Sequence, residues 1–138
     1  MDNVQINRMI DVLIKHEGLR LKPYRCKSNR LTIGIGRNLD DNGISRQEAV
    51  HLCMNDILNC VSDLKTIFPR WSEFSENRQI ALVDMRFNLG YKGFRSFKNM
   101  ITAIRLDDWV TAIKEAKDSK WFTDVQKDRS DRVISLMA

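Results

Sequence analysis

Proline and glycine are scarce in this chain, 2 and 6 of 138 residues, so it is neither a fibrous repeat nor a disordered low-complexity segment. No apolar run approaches the roughly 20 residues that a membrane-crossing helix needs. The start, Met1-Asp2-Asn3-Val4-Gln5, lacks a basic-then-apolar signal or anchor, which predicts a protein held in the cytoplasm of its host. Cysteine occurs 3 times, an odd number that suits a reducing interior better than a disulfide framework. The cysteines form no CxxC pair, and the only histidines, His16 and His51, make no HExxH, so neither a metal nor a cofactor is expected. Gly34-Ile35-Gly36 has no GxxxxGK[ST] around it and is not a phosphate loop. Zinc-finger spacing and the aromatic signature of RNA-binding sheets are missing too, which argues against a nucleic-acid partner.

What is present is charge and helical periodicity. Lys and Arg number 23 against 18 Asp and Glu, a formal net charge of +5 that favours a polyanionic partner. Ile6, Ile10, Leu13 and Glu17 step along one helix face, and Gly18 ends it. Tyr24-Arg25-Cys26 and Leu31-Thr32-Ile33-Gly34-Ile35 flank the polar Lys27-Ser28-Asn29-Arg30, the pattern of a hairpin; turn chemistry fills 38–43. Ser45-Arg46-Gln47-Glu48 has the form of a capping box, opening a helix that Pro69 stops, with Cys53, Ile57, Cys60 and Leu64 on one stripe and both cysteines read as core. Residues 76–89 predict a helix apolar around much of its circumference, and helices follow at about 95–105, 108–117 and 129–137, anchored by Phe94, Phe97, Trp109, Trp121 and Phe122. The fold class is therefore α+β and predominantly helical, in one domain.

Glu17 is the residue with most chemical content. A carboxylate that extends an apolar stripe is expected to lie half-shielded, where desolvation keeps a proton available for general-acid work. A structural ion pair to an arginine is the competing reading. Cys26 and Thr32 lie on the two strands of the hairpin, so pairing brings a thiol and a hydroxyl together beside the bare backbone of Gly34 and Gly36. Arg25 and Lys27 flank Cys26 and favour its thiolate. Without that setting, Cys26 is a small buried hydrophobe and Thr32 a strand former.

His16-Glu17-Gly18-Leu19-Arg20-Leu21, Pro23-Tyr24 and Leu31-Thr32-Ile33-Gly34-Ile35-Gly36 together resemble the active-site region of the phage-type lysozymes, the endolysins. That family spaces a Glu, eight residues, an Asp or Cys, five residues and a Thr, as Glu17, Cys26 and Thr32 are spaced here. Ala81 to Gly90 resembles the family's buried central helix, and Lys120-Trp121-Phe122 and Arg129 to Ile134 its last helices. The T-even form has Asp at the position of Cys26 and His at that of Arg37.

The resemblance implies a lysozyme-like architecture: a small lobe at about 15–60 holding the hairpin, a helical lobe made of 1–14 and about 61–138, a long helix joining them, and a peptidoglycan cleft between. It implies a muramidase that hydrolyses the β-1,4 bond between N-acetylmuramic acid and N-acetylglucosamine. Glu17 would be the general acid, Thr32 would hold the attacking water, and Cys26 would act as thiolate or as a polar partner of that water. Arg129 would pair with Glu17, and Tyr24, Gly36 and Asn88 would contact the glycan. A monomer released to the periplasm and cell wall by a holin is the implied biology. A non-catalytic wall-binding module, for which the Cys at 26 speaks, and a lytic transglycosylase are the alternatives.

Overall fold

Local signals set most element boundaries in the computed structural model, which describes residues 1–138. Helix α1 (Asn3–Glu17) opens on Asp2, whose side chain accepts from the Gln5 N–H while Gln5 caps in return, and it closes at Gly18 with φ 78°. Strands β1 (Arg20–Arg25), β2 (Leu31–Gly34) and β3 (Arg37–Asn38) form an antiparallel sheet in that order, with Tyr24 opposite Thr32 and Thr32 opposite Asn38. Asn29, at φ 59°, makes the tight turn between β1 and β2. The expected plain turn at 38–43 is instead the end of β3 and a one-turn helix, α2 (Leu39–Asn42), because the Asn38 side chain caps the Asp41 N–H.

Helix α3 (Arg46–Ile67) begins with the predicted capping box: the Glu48 N–H donates to Ser45 Oγ and the Ser45 N–H donates to the Glu48 carboxylate. After a short 3₁₀ turn (Trp71–Glu73) come α4 (Glu76–Arg95), α5 (Lys98–Arg105), α6 (Trp109–Lys117), α7 (Lys120–Asp124) and α8 (Lys127–Met137). Helical geometry in α4 breaks at Gly90 (φ 75°, ψ 170°), where the expected helix ends.

The chain divides into two compact units, Met1–Val50 and His51–Ala138. The second holds the core: Leu64, Phe68, Leu82, Met85, Phe94, Met100, Ile104 and Met137 are almost wholly buried, joined by Trp71, Trp109 and Trp121. Edge-to-face contacts such as Phe74 on Trp109, with centroids 5.1 Å apart, knit the aromatic part. The first unit is a small sheet with α1 and α2, and α1 buries no residue there. Some 70% of the chain is helical beside this one sheet, so the fold is α+β and lysozyme-like.

Two expectations about burial need correction. Cys53 is exposed and only Cys60 is core, because α3 buries side chains solely in its second half: Cys60, Leu64 and Ile67. Ile80 and Phe87 are nearly half exposed, so α4 buries one face rather than its whole circumference. Ile6, Ile10 and Leu13 also stay exposed, since the three short strands of the first unit offer α1 no broad apolar surface.

Candidate active site

Glu17 is the last residue of α1, and it is exposed rather than half-shielded. Gly36 lies beside it. A Cβ built on Gly36 would lie 3.2 Å from Glu17 Cγ and 3.3 Å from Oε2, so the carboxylate reaches over a residue that has no side chain. Gly36 has φ 71°, a left-handed conformation that other residues adopt at a cost. The turn between β2 and β3 thus both needs a glycine for its backbone and keeps the space that Glu17 fills.

Cys26 and Thr32 meet, as the hairpin pattern predicts. Cys26 falls one residue past β1, its N–H donating to the Arg30 carbonyl across the turn. Its Sγ is 3.1 Å from Ser28 Oγ. Thr32 is 97% buried, with its hydroxyl donating to the Arg30 carbonyl at 2.8 Å. The thiol pKa is lowered from 9.0 to about 7, mainly by the Ser28 hydroxyl, then by the Arg30 backbone, with a smaller contribution from the Thr32 hydroxyl. Those hydrogen bonds, and not the flanking Arg25 and Lys27, favour the thiolate.

Tyr24 lies on β1, half-buried, with the Arg20 guanidinium stacked 4.3 Å from its ring centroid. Further residues brace this unit that sequence reading passed over. Asp40 accepts from the Leu31 N–H at 2.7 Å and from Arg25 at 3.2 Å, tying α2 to both strands of the hairpin. Arg37, next to Gly36, grips Glu48 with two hydrogen bonds of 2.8 and 2.6 Å, and Glu48 is thereby acidified from 4.5 to about 2. The Ser-x-x-Glu spacing flags Glu48 as a cap, but nothing local marks it as the partner of Arg37.

In the second unit, Asn88 is exposed on α4, and its Oδ1 accepts from the Trp121 indole N–H at 3.0 Å. Within the second unit, Arg129 Nε donates to Asp84 Oδ1 at 2.7 Å. The reason is local, since α4 and α8 pack together and set the two side chains opposite each other. Asp84 carried no signal in the sequence, being one of several charged residues on α4.

The phage lysozyme family pattern matches residues 14–132. The chain belongs to the phage lysozyme family. That places it among the lysozymes, a class of glycosidase. It is 31% identical to the pre-baseplate central spike protein Gp5 of Enterobacteria phage T4, over 94% of this chain and 27% of the spike protein. Thus it spans about a quarter of that protein's length. It is 28% identical to a probable T4-type lysozyme of Dictyostelium discoideum, covering 95% of this chain and 94% of the relative. An endolysin of the Acyrthosiphon pisum secondary endosymbiont phage 1 is 30% identical, over 80% of this chain and 75% of the endolysin. Glu17, Cys26 and Thr32 all fall within the matched residues.

Proposed function

We propose that this protein hydrolyses the β-1,4 bond between N-acetylmuramic acid and N-acetylglucosamine in peptidoglycan. Glu17 protonates the leaving glycosidic oxygen. Water held by Thr32 attacks the anomeric carbon, and the Cys26 thiolate takes its proton. Arg129, Tyr24, Gly36 and Asn88 contact the glycan. The observation that carries this reading is the Cys26 cluster: a thiol with a pKa of about 7 is half-ionised near neutrality, so sulfur can serve where two-carboxylate glycosidases use their second acid.

We propose a lytic role for a monomer that waits in the host cytoplasm and reaches the wall through a holin; the kinship to an endolysin supports the lytic part of that reading. The kinship to a spike protein favours a second reading, a wall-cutting module of a phage tail.

Digestion of purified peptidoglycan tests the chemistry. New reducing ends with full-mass muramic acid termini are expected. Termini lighter by one water would instead identify a lytic transglycosylase, and sedimentation with the wall without new ends a mere binder. NMR of the fresh products should show the inverted anomer. Cys26→Asp should stay active and Cys26→Ser should lose about 100-fold, the scale of losing a general base.

A further inference from the structure

The hairpin carries an unbalanced charge that the proposed chemistry leaves unused. Between Glu17 and Asp40 the chain has six cations, Arg20, Lys22, Arg25, Lys27, Arg30 and Arg37, and no acid. Arg25 and Arg30 turn to Asp40 and Asp41 on α2, Arg37 to Glu48, and Arg20 to the Tyr24 ring. Lys22 and Lys27 pair with no acid.

Apolar side chains stand among these cations: Leu21 is 83% exposed and Leu19 54%. The sheet explains why. β1 lies at its edge, with β2 as its one neighbour, and the register slips: Arg20 faces Gly34 but Tyr24 faces Thr32, four steps along β1 against two along β2. Leu21, Lys22 and Pro23 therefore bulge out of the ladder. An open edge invites another strand, but a bulge, a proline without an N–H and a lysine all discourage that pairing. What protrudes is a leucine beside an unpaired ammonium, shaped to meet a soft surface rather than a strand. A hydrated polymer can neutralise the charge yet offers the leucine nothing, since an apolar side chain gains only by leaving water. A bilayer with anionic headgroups serves both, with phosphates for the cations and acyl chains for the leucines.

We propose that the β1 bulge docks on an anionic lipid bilayer, Leu19 and Leu21 entering the headgroup boundary while Lys22 and Lys27 meet its phosphates. The surface lies on the first unit alone, and its role does not rest on the glycosidase reading.

Flotation with lipid vesicles tests this on the full chain, with thermal melting recorded for each variant. The protein should float with vesicles of mixed phosphatidylcholine and phosphatidylglycerol, stay behind with phosphatidylcholine alone, and release as salt rises. Lys22→Ala should weaken partitioning about fivefold, the worth of one cation near an anionic surface. Leu21→Ala should weaken it about tenfold or more, because it removes the inserted apolar groups. Both positions are exposed, so either variant should melt as wild type does. Lys114→Ala on α6 removes the same charge outside the hairpin and should change partitioning by less than about twofold. Wild-type protein that ignores the mixed vesicles would overturn the proposal. So would an unchanged Leu21→Ala variant, or a loss in Lys114→Ala equal to that in Lys22→Ala, which would reduce the effect to net charge. Binding to purified peptidoglycan but not to vesicles, weakened by Lys22→Ala, would overturn it in favour of a wall polymer.

Discussion

At the scale of single residues, the proposed chemistry depends on what stands next to Glu17 and Cys26. Gly36 is the neighbour of Glu17, with a hypothetical Cβ only 3.2–3.3 Å from three of its atoms. Gly36→Ala would put a methyl group there and strain a backbone at φ 71°. A fall in kcat of more than tenfold is expected in a variant whose melting shows it still folds, since a small displacement of a reacting group costs that much or more. For Cys26, alkylation by iodoacetamide against pH should give a midpoint of about 7, and Ser28→Ala should move it upward by removing the largest of its stabilising hydrogen bonds. Because the folded pKa lies below 9.0, ionisation of Cys26 favours the folded state fully above pH 9.0, and that contribution is gone once pH falls below about 7.

The resemblance to the phage-type lysozymes singled out Glu17, Cys26 and Thr32 in the sequence, and the hairpin pairing followed from the polar turn. The exposure of Glu17 was not legible. Three aliphatic residues on its stripe suggest shelter, but a stripe says only which side chains face the same way and not whether anything covers them.

Among elements, the informative feature is how β3 is fastened. It has only two residues, too few to stand by itself, and Arg37 anchors it to the first turn of α3 through Glu48. Glu48 ordinarily titrates at 4.5 and is held down to about 2 by Arg37. A depressed carboxyl supports the fold at pH above 4.5, and this support fades as pH falls toward 2. Glu48→Gln should therefore be less stable than wild type in urea at pH 7, and the gap should close as the titration is repeated down to pH 2. Equal gaps at both ends would mean that the ion pair contributes nothing.

Helix ends were the best-read part of the chain, because caps are local: Ser45 with Glu48, Gly18 and Gly90 all act where the sequence places them. α2 escaped because a four-residue helix has no period to detect, and its one signal, Asn38 as a cap, also reads as a turn.

For the whole molecule, the aromatic and aliphatic core is confined to the second unit, where a face of each helix from α4 to α8 is buried. The first unit carries Glu17 at the end of α1, Cys26 just past β1 and Thr32 on β2. Composition and periodicity disclosed that helical majority. They could not disclose pairs formed across long stretches of chain, such as Arg129 with Asp84 or Trp121 with Asn88, because no local pattern encodes which helices become neighbours.

The proposed hydrolysis depends on Glu17 acting as the acid. Glu17→Gln keeps the size and shape of that side chain and removes its acid. Measured as reducing ends released from purified peptidoglycan, with melting to show that the variant is folded, its rate should fall at least ~100-fold, the scale of general-acid catalysis. Near-normal release by folded Glu17→Gln protein would contradict the account.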